Sequence, residues 1–299
     1  MKINLGLHLG FAINRYPEPK NWTKLLAKNL GINHVQFVSD LLEPSLPKKI
    51  IEKQIDEINN QTSKYNIKID HTFTSPRYNF FGHPNLEISN YWLKWFKKFI
   101  DITADLNAKG TGCLLSIYSV DDYNFRRKLI EKRIINKWQE LSIYAKQKKL
   151  EYLLWEPMSI KREMGETITK TNYLHNQLNK NNKGIPIKLC LDVDHGDIYS
   201  KNTNDHNPYK WIEKLGKKSP IIHIKQRTKN VFGHKPFTKE YNEKGIIKPK
   251  KIIKYLKSLD LDEIYLYLEL SFREREPFDS KVVQDLAESI EYWKRYINI

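Results

Sequence analysis

The chain has 299 residues, with 51 Lys and Arg against 35 Asp and Glu and a formal net charge of +16. Its 40% hydrophobic content, seven Trp, 17 Tyr and 12 Phe exclude wholesale disorder, and its two cysteines exclude a disulfide scaffold and a four-cysteine zinc module. No apolar run approaches the roughly 18 residues of a membrane span. The opening MKINLGLHLGFAINRYP lacks a small-residue cleavage site, so a cytoplasmic protein is expected.

Taken in chain order, short β-rich runs recur at 3–9, 34–38, 67–73, 112–117, 150–155, 187–191, 221–224 and 264–268. Each is followed by a polar or Gly/Pro-containing turn and then a stretch of helical period. The first such stretch, NWTKLLAKNLG, puts Leu25, Leu26 and Leu30 on one face and Lys24 and Lys28 on another, and Gly31 supplies a stop. LPKKIIEKQIDEINNQTSKY and WLKWFKKFIDITADLNAKG repeat the pattern in the first half of the chain, and KPKKIIKYLKSL and SKVVQDLAESIEYWKRY repeat it near the end. NQLNKNNKG, at 176–184, reads as a helix end and turn. Cys113 and Cys190 lie in apolar runs and are expected to be buried free thiols.

Eight strand–helix units predict an α/β fold of the (β/α)8 TIM-barrel kind, with residues 1–299 as a single domain. A doubly wound sheet would need a glycine-rich phosphate loop after its first strand. The first turn, HLGFAINRYPEP, contains no such motif.

The ends of the last four strands carry the informative residues. They are Glu156 before Pro157, Asp192 in LDVDHGD, His223 in SPIIHIKQ and Glu269 in LYLELSF. Taken singly, these are compatible with a solvated strand end, a helix cap, a core histidine and a partnered core carboxylate. Taken together, a parallel barrel aims all four at one mouth. Three carboxylates and an imidazole suit one divalent ion such as Mn²⁺, Co²⁺ or Mg²⁺. Without a cation such a cluster is repulsive.

The positive charge by itself invites a nucleic-acid partner. However, Lys outnumbers Arg by 41 to 10, whereas base-reading surfaces lean on Arg. Lys with 25 Asn and 34 Ile is the composition expected of AT-biased codon usage.

The four strand-end ligands, with HTFTSPRYNFFGHPN and LLWEPMSIKREMGETI, resemble the xylose-isomerase-like sugar isomerase/epimerase superfamily along essentially the whole chain. Within it they look like the tetrulose-phosphate (erythrulose-phosphate) 3-epimerase branch. The resemblance implies a metal-dependent epimerase or isomerase acting on a small sugar or sugar phosphate, with no nucleic-acid or membrane partner. Dimers being common in the superfamily, it also admits a homodimer. It implies that Glu156, Asp192, His223 and Glu269 hold the metal, and that His195 contacts substrate. Glu156 and Glu269 are then the acid/base pair that moves a proton through an enediolate.

For a phosphate group, Lys225, Gln226 and Arg227 follow strand seven, Arg273 and Arg275 follow strand eight, and Arg77 follows strand three. Arg162 and Glu163 are further substrate candidates, and Phe11 and Trp155 are candidate pocket walls. Two rivals use similar parts: an aldose–ketose isomerase and an endonuclease-IV-like phosphodiesterase. The latter needs further zinc ligands, for which His71, His195 and His234 are available, but the fourth strand, GTGCLL, offers no histidine. That strand also departs from the epimerase branch, where Gly-His is common in place of Cys113 and Leu114. A third reading is a degenerate barrel kept as a binding module.

Overall fold

A computed structural model describes residues 1–228, 233–272 and 279–297. Eight parallel strands close in sequential order, β1 to β8, into a barrel. They are β1 (Lys2–His8), β2 (His34–Val38), β3 (Lys68–Phe73), β4 (Gly110–Leu114), β5 (Tyr152–Glu156), β6 (Ile187–Asp192), β7 (Ile221–Ile224) and β8 (Glu263–Leu268). The expected α/β barrel is therefore the fold.

The helices cover the outside. They are α1 (Pro19–Lys24), α2 (Lys48–Tyr65), α3 (Leu86–Asp105), α4 (Val120–Phe125), α5 (Arg127–Gln147), α6 (Ile168–Asn179), α7 (Pro208–Leu215), α8 (Lys239–Lys244), α9 (Pro249–Lys257) and α10 (Asp279–Ile297). α1 runs on into a wide turn over Leu25–Leu30, and Gly31 ends it with φ +58°, a conformation that favours glycine. Long apolar faces such as Trp95, Phe96, Phe99 and Ile100 of α3 pack into the main core between helices and barrel. Inside the barrel a second cluster contains Phe73, Tyr152, Leu154, Cys190, Ile221, Tyr265 and Tyr267.

The fourth strand begins two residues earlier than its sequence indicates, at Gly110 instead of Gly112. The physical reason lies across the sheet. Gly110 pairs with Tyr152 and Gly112 with Leu154, and a Cβ on either glycine would meet the facing carbonyl oxygen at 2.4 and 2.3 Å. These glycines are not turn residues. They are the small partners that let bulky β5 side chains fill the interior. Cys113 and Cys190 are buried and unpaired, as expected.

Candidate active site

Strand alternation and parallel closure send the C-terminal ends of β5, β6, β7 and β8 to one rim. There, Glu156, Asp192, His223 and Glu269 each offer a donor atom, and the four atoms lie within 4.8 Å of one another. His223 Nδ1 stands 3.0 Å from Glu156 Oε1 and 3.3 Å from Glu269 Oε2. Its Nε2 donates to the side-chain amide oxygen of Gln36, Oε1, at 2.7 Å. A carbonyl behind one ring nitrogen, turning the other towards carboxylates, is the usual support of a metal-binding imidazole. The donor set therefore fits a divalent ion. Phe73 and His8 stand edge-on to the His223 ring and enclose it.

The cations of the site are internal. Lys225 is fully buried, and its Nζ donates to Asp192 Oδ2 and to Glu269 Oε2, both at 2.5 Å, and to His234 Nδ1 at 3.2 Å. Burial by itself pushes both acids up, but the surrounding cations reverse the direction. His195 and Lys225 bring Asp192 below its ordinary value, and Lys225 and His223 hold Glu269 well below. Burial likewise opposes charge on His195, yet Asp192 and Glu156 raise it.

The remaining candidates separate clearly. His195 Nδ1 donates to the Pro157 carbonyl at 2.9 Å, and its Nε2 lies 3.6 Å from Asp192 Oδ2, so it belongs to the cluster. Glu163 sits on the β5–α6 loop, raised chiefly by burial, with His195 and Arg162 opposing and Glu156 adding to the rise. The next residue, Met164, is buried at φ +69°, and its carbonyl accepts from Met158 N–H, which fixes the loop against β5. Arg162 is held on the loop after β4, donating to the Tyr118 carbonyl. Trp155 and Phe11 are buried core side chains.

Lys225 is at the centre of the carboxylates, not at an outer phosphate position. Arg227 is buried behind the site, donating to the His206 carbonyl at 2.8 Å with its Nε 3.7 Å from Asp194 Oδ1. Gln226 is buried as well and holds Asn242 and the Ile247 carbonyl. Arg77 is exposed in a groove with Ser39, Asp40, Glu43, Tyr78 and Trp92, and no contact joins it to the cluster. Arg273 and Arg275 lie outside the described residues.

His71 lies deep in the barrel with both ring nitrogens on tyrosine hydroxyls, Tyr267 and Tyr152, each at 2.7 Å. It is not available as a zinc ligand for a trinuclear site.

Two residues of this rim went unread in the sequence. His8 closes β1 and is nine-tenths buried, its Nδ1 accepting from Gly10 N–H at 3.1 Å. Gln36, on β2, orients His223. The only available signal was a polar residue at an inward position near a strand end.

The chain was compared with known proteins. The family model described as "Xylose isomerase-like TIM barrel" matches residues 25–296. A D-erythrulose 1-phosphate 3-epimerase from Brucella abortus (strain 2308) is 35% identical over 302 residues, covering 100% of this chain and 97% of that protein. Among solved structures, a Rhodospirillum rubrum protein provisionally described as a xylose isomerase superposes with a TM-score of 0.89 at 24% identity, over 98% of this chain and 99% of that one. D-psicose 3-epimerase with D-tagatose from Clostridium cellulolyticum H10 superposes with a TM-score of 0.70 at 15% identity, over 98% and 99%. At these identities the structural likenesses speak to fold. The length of the family match and the 35% relative go further: the chain belongs to the xylose isomerase-like TIM barrel family.

Proposed function

We propose that this chain is a 3-epimerase of a ketose phosphate, with erythrulose 1-phosphate the first substrate to test. Membership of the family and full-length similarity to an erythrulose-phosphate epimerase support the isomerase class and the choice of sugar. The observation that carries the chemistry is the convergence of two carboxylates from separate strands on one imidazole nitrogen. Glu156, from β5, and Glu269, just past β8, both reach His223 Nδ1.

Epimerisation beside a ketone removes a proton from one face of a carbon and returns one to the other. Glu156 and Glu269 are the two groups placed to do this, one as base and the other as acid. Glu156, Asp192, His223 and Glu269 would hold a divalent ion, which supplies Lewis acidity against the negative charge that develops on the ketose oxygen. His195, anchored at Nδ1 by the Pro157 carbonyl, presents its other nitrogen to the same space and suits a substrate hydroxyl. Glu163 stands at the rim of the same charge field. The buried imidazole and Phe73 beneath the carboxylates keep water from that side.

The test is NMR in D2O with erythrulose 1-phosphate and Mn²⁺. Deuterium at C3, with appearance of the opposite configuration, is expected. Formation of an aldose, with exchange at C1, from a ketose whose C1 hydroxyl is free, such as erythrulose 4-phosphate, would identify an aldose–ketose isomerase instead. No exchange with tetrulose, pentulose or hexulose phosphates would overturn both.

A further inference from the structure

Three carboxylates in one cluster, two of them buried and Glu269 partly so, require positive charge, and the chain supplies some of its own. β7 places His223 inward, and the two-residue period of a strand brings Lys225 to the same face one step nearer the mouth. The Lys225 ammonium has three donors, and the structure gives it three acceptors: Asp192 Oδ2, Glu269 Oε2 and His234 Nδ1. It is saturated, fully buried and equidistant from two of the oxygens that a divalent ion would use.

An ion takes carboxylate oxygens at roughly 2.0–2.1 Å in a Mg²⁺-like site. An ion held by the same two oxygens would set like charge against like charge in a buried site. The two cannot share the pair without cost.

We propose that Lys225 is a built-in competitor of the divalent ion for Asp192 and Glu269. It neutralises the carboxylates of the ion-free protein, and it must leave them when the ion is taken up. This rests on the reading of the four-residue cluster as a metal site. It does not rest on which sugar is turned over.

The experiment uses Mn²⁺ alone as the probe. Binding is measured by calorimetry and by the loss of the free-ion EPR signal for the wild type, Lys225→Met and Lys225→Arg. Melting temperatures are recorded in chelator and in saturating Mn²⁺. Lys225→Met is expected to bind Mn²⁺ at least about tenfold more tightly, to melt lower than wild type in chelator, and to recover most of that loss in Mn²⁺. Lys225→Arg, which keeps the charge, is expected to bind no more tightly than wild type.

Equal or weaker Mn²⁺ binding by Lys225→Met overturns the proposal. So does an equal gain in Lys225→Arg, which would show that crowding by the lysine stem, and not its charge, is what matters. If Lys225→Met fails to fold in chelator, refolding it in Mn²⁺ gives the same affinity by back-titration. Absence of Mn²⁺ binding in every variant overturns the competition and the metal reading together. Absence of epimerisation with normal Mn²⁺ binding touches only the choice of reaction.

Discussion

The two ends of the barrel solve opposite problems with the same kinds of residue. At the N-terminal floor carboxylates are outnumbered by donors: Glu263 accepts from Lys2, Asn4, Lys109 and the Tyr265 hydroxyl at 2.8–3.1 Å, and Asp70 pairs with His34 at 2.8 Å. Above it, His71 satisfies two tyrosine hydroxyls. At the mouth the ratio inverts, and Glu156, Asp192 and Glu269 share Lys225 and the histidines. A floor rich in donors is complete in itself and serves as structure. A mouth rich in carboxylates calls for cations, and that excess separates a site from an ion-pair network.

If this contrast is right, substitutions at the two ends should be read out in different quantities. The largest effect belongs to the mouth. Glu269→Gln is expected to lower kcat by about 10²–10⁴-fold while the circular dichroism spectrum stays native, and near-wild-type turnover would remove Glu269 from the acid/base pair. At the floor, His71→Phe strands the buried hydroxyls of Tyr152 and Tyr267. It should cost about 2–4 kcal/mol of stability in urea melts, with kcat of the folded protein unchanged. Loss of activity without loss of stability would erase the distinction between the two ends.

Glu263 tests the floor by pH. Burial raises its carboxyl, but hydrogen bonds from Lys109, Asn4 and Lys2 prevail and bring it down to about 2, from 4.5. The folded value is depressed, so its stabilisation is fully present above pH 4.5 and disappears as the pH falls towards 2. Partial exposure of the group keeps the contribution near 1–2 kcal/mol, as an order of magnitude. Glu263→Gln should therefore flatten the acid limb of the stability curve without moving kcat. The smallest effect is expected at Lys2, which is 66% exposed. Lys2→Ala should cost about 0.5 kcal/mol or less, and a larger loss would mean that the floor network is cooperative.

Much of this was legible in the sequence, and the exceptions have physical causes. The eight strands announced themselves because buried parallel strands are continuous apolar runs separated by amphipathic helices. The four rim residues were legible because each follows such a run, where a charged group is conspicuous. Lys225 was harder. A lysine just past strand seven reads as a phosphate-binding candidate, and only closure of the barrel shows it turned inward onto carboxylates. Arg227 is a similar case: it too follows β7, and closure of the barrel buries it against the His206 carbonyl and Asp194. His71 looked like a strand-end ligand, yet its place depends on register, which sequence does not state. β2 meets β3 with a slip between Val35 and Gln36. That slip helps decide which polar residues stand at the floor and which at the mouth.

The glycines of the barrel wall have a consequence for the site above them. Gly6 pairs with Tyr267, and a Cβ there would come within 2.8 Å of the tyrosine ring and 2.7 Å of the His34 carbonyl. Tyr267 is on β8, two residues before Glu269, which follows the strand's end. Whatever presses on that ring presses on the segment that carries the carboxylate. Gly6 thus acts as a spacer, its missing side chain leaving room for the Tyr267 ring two residues before Glu269.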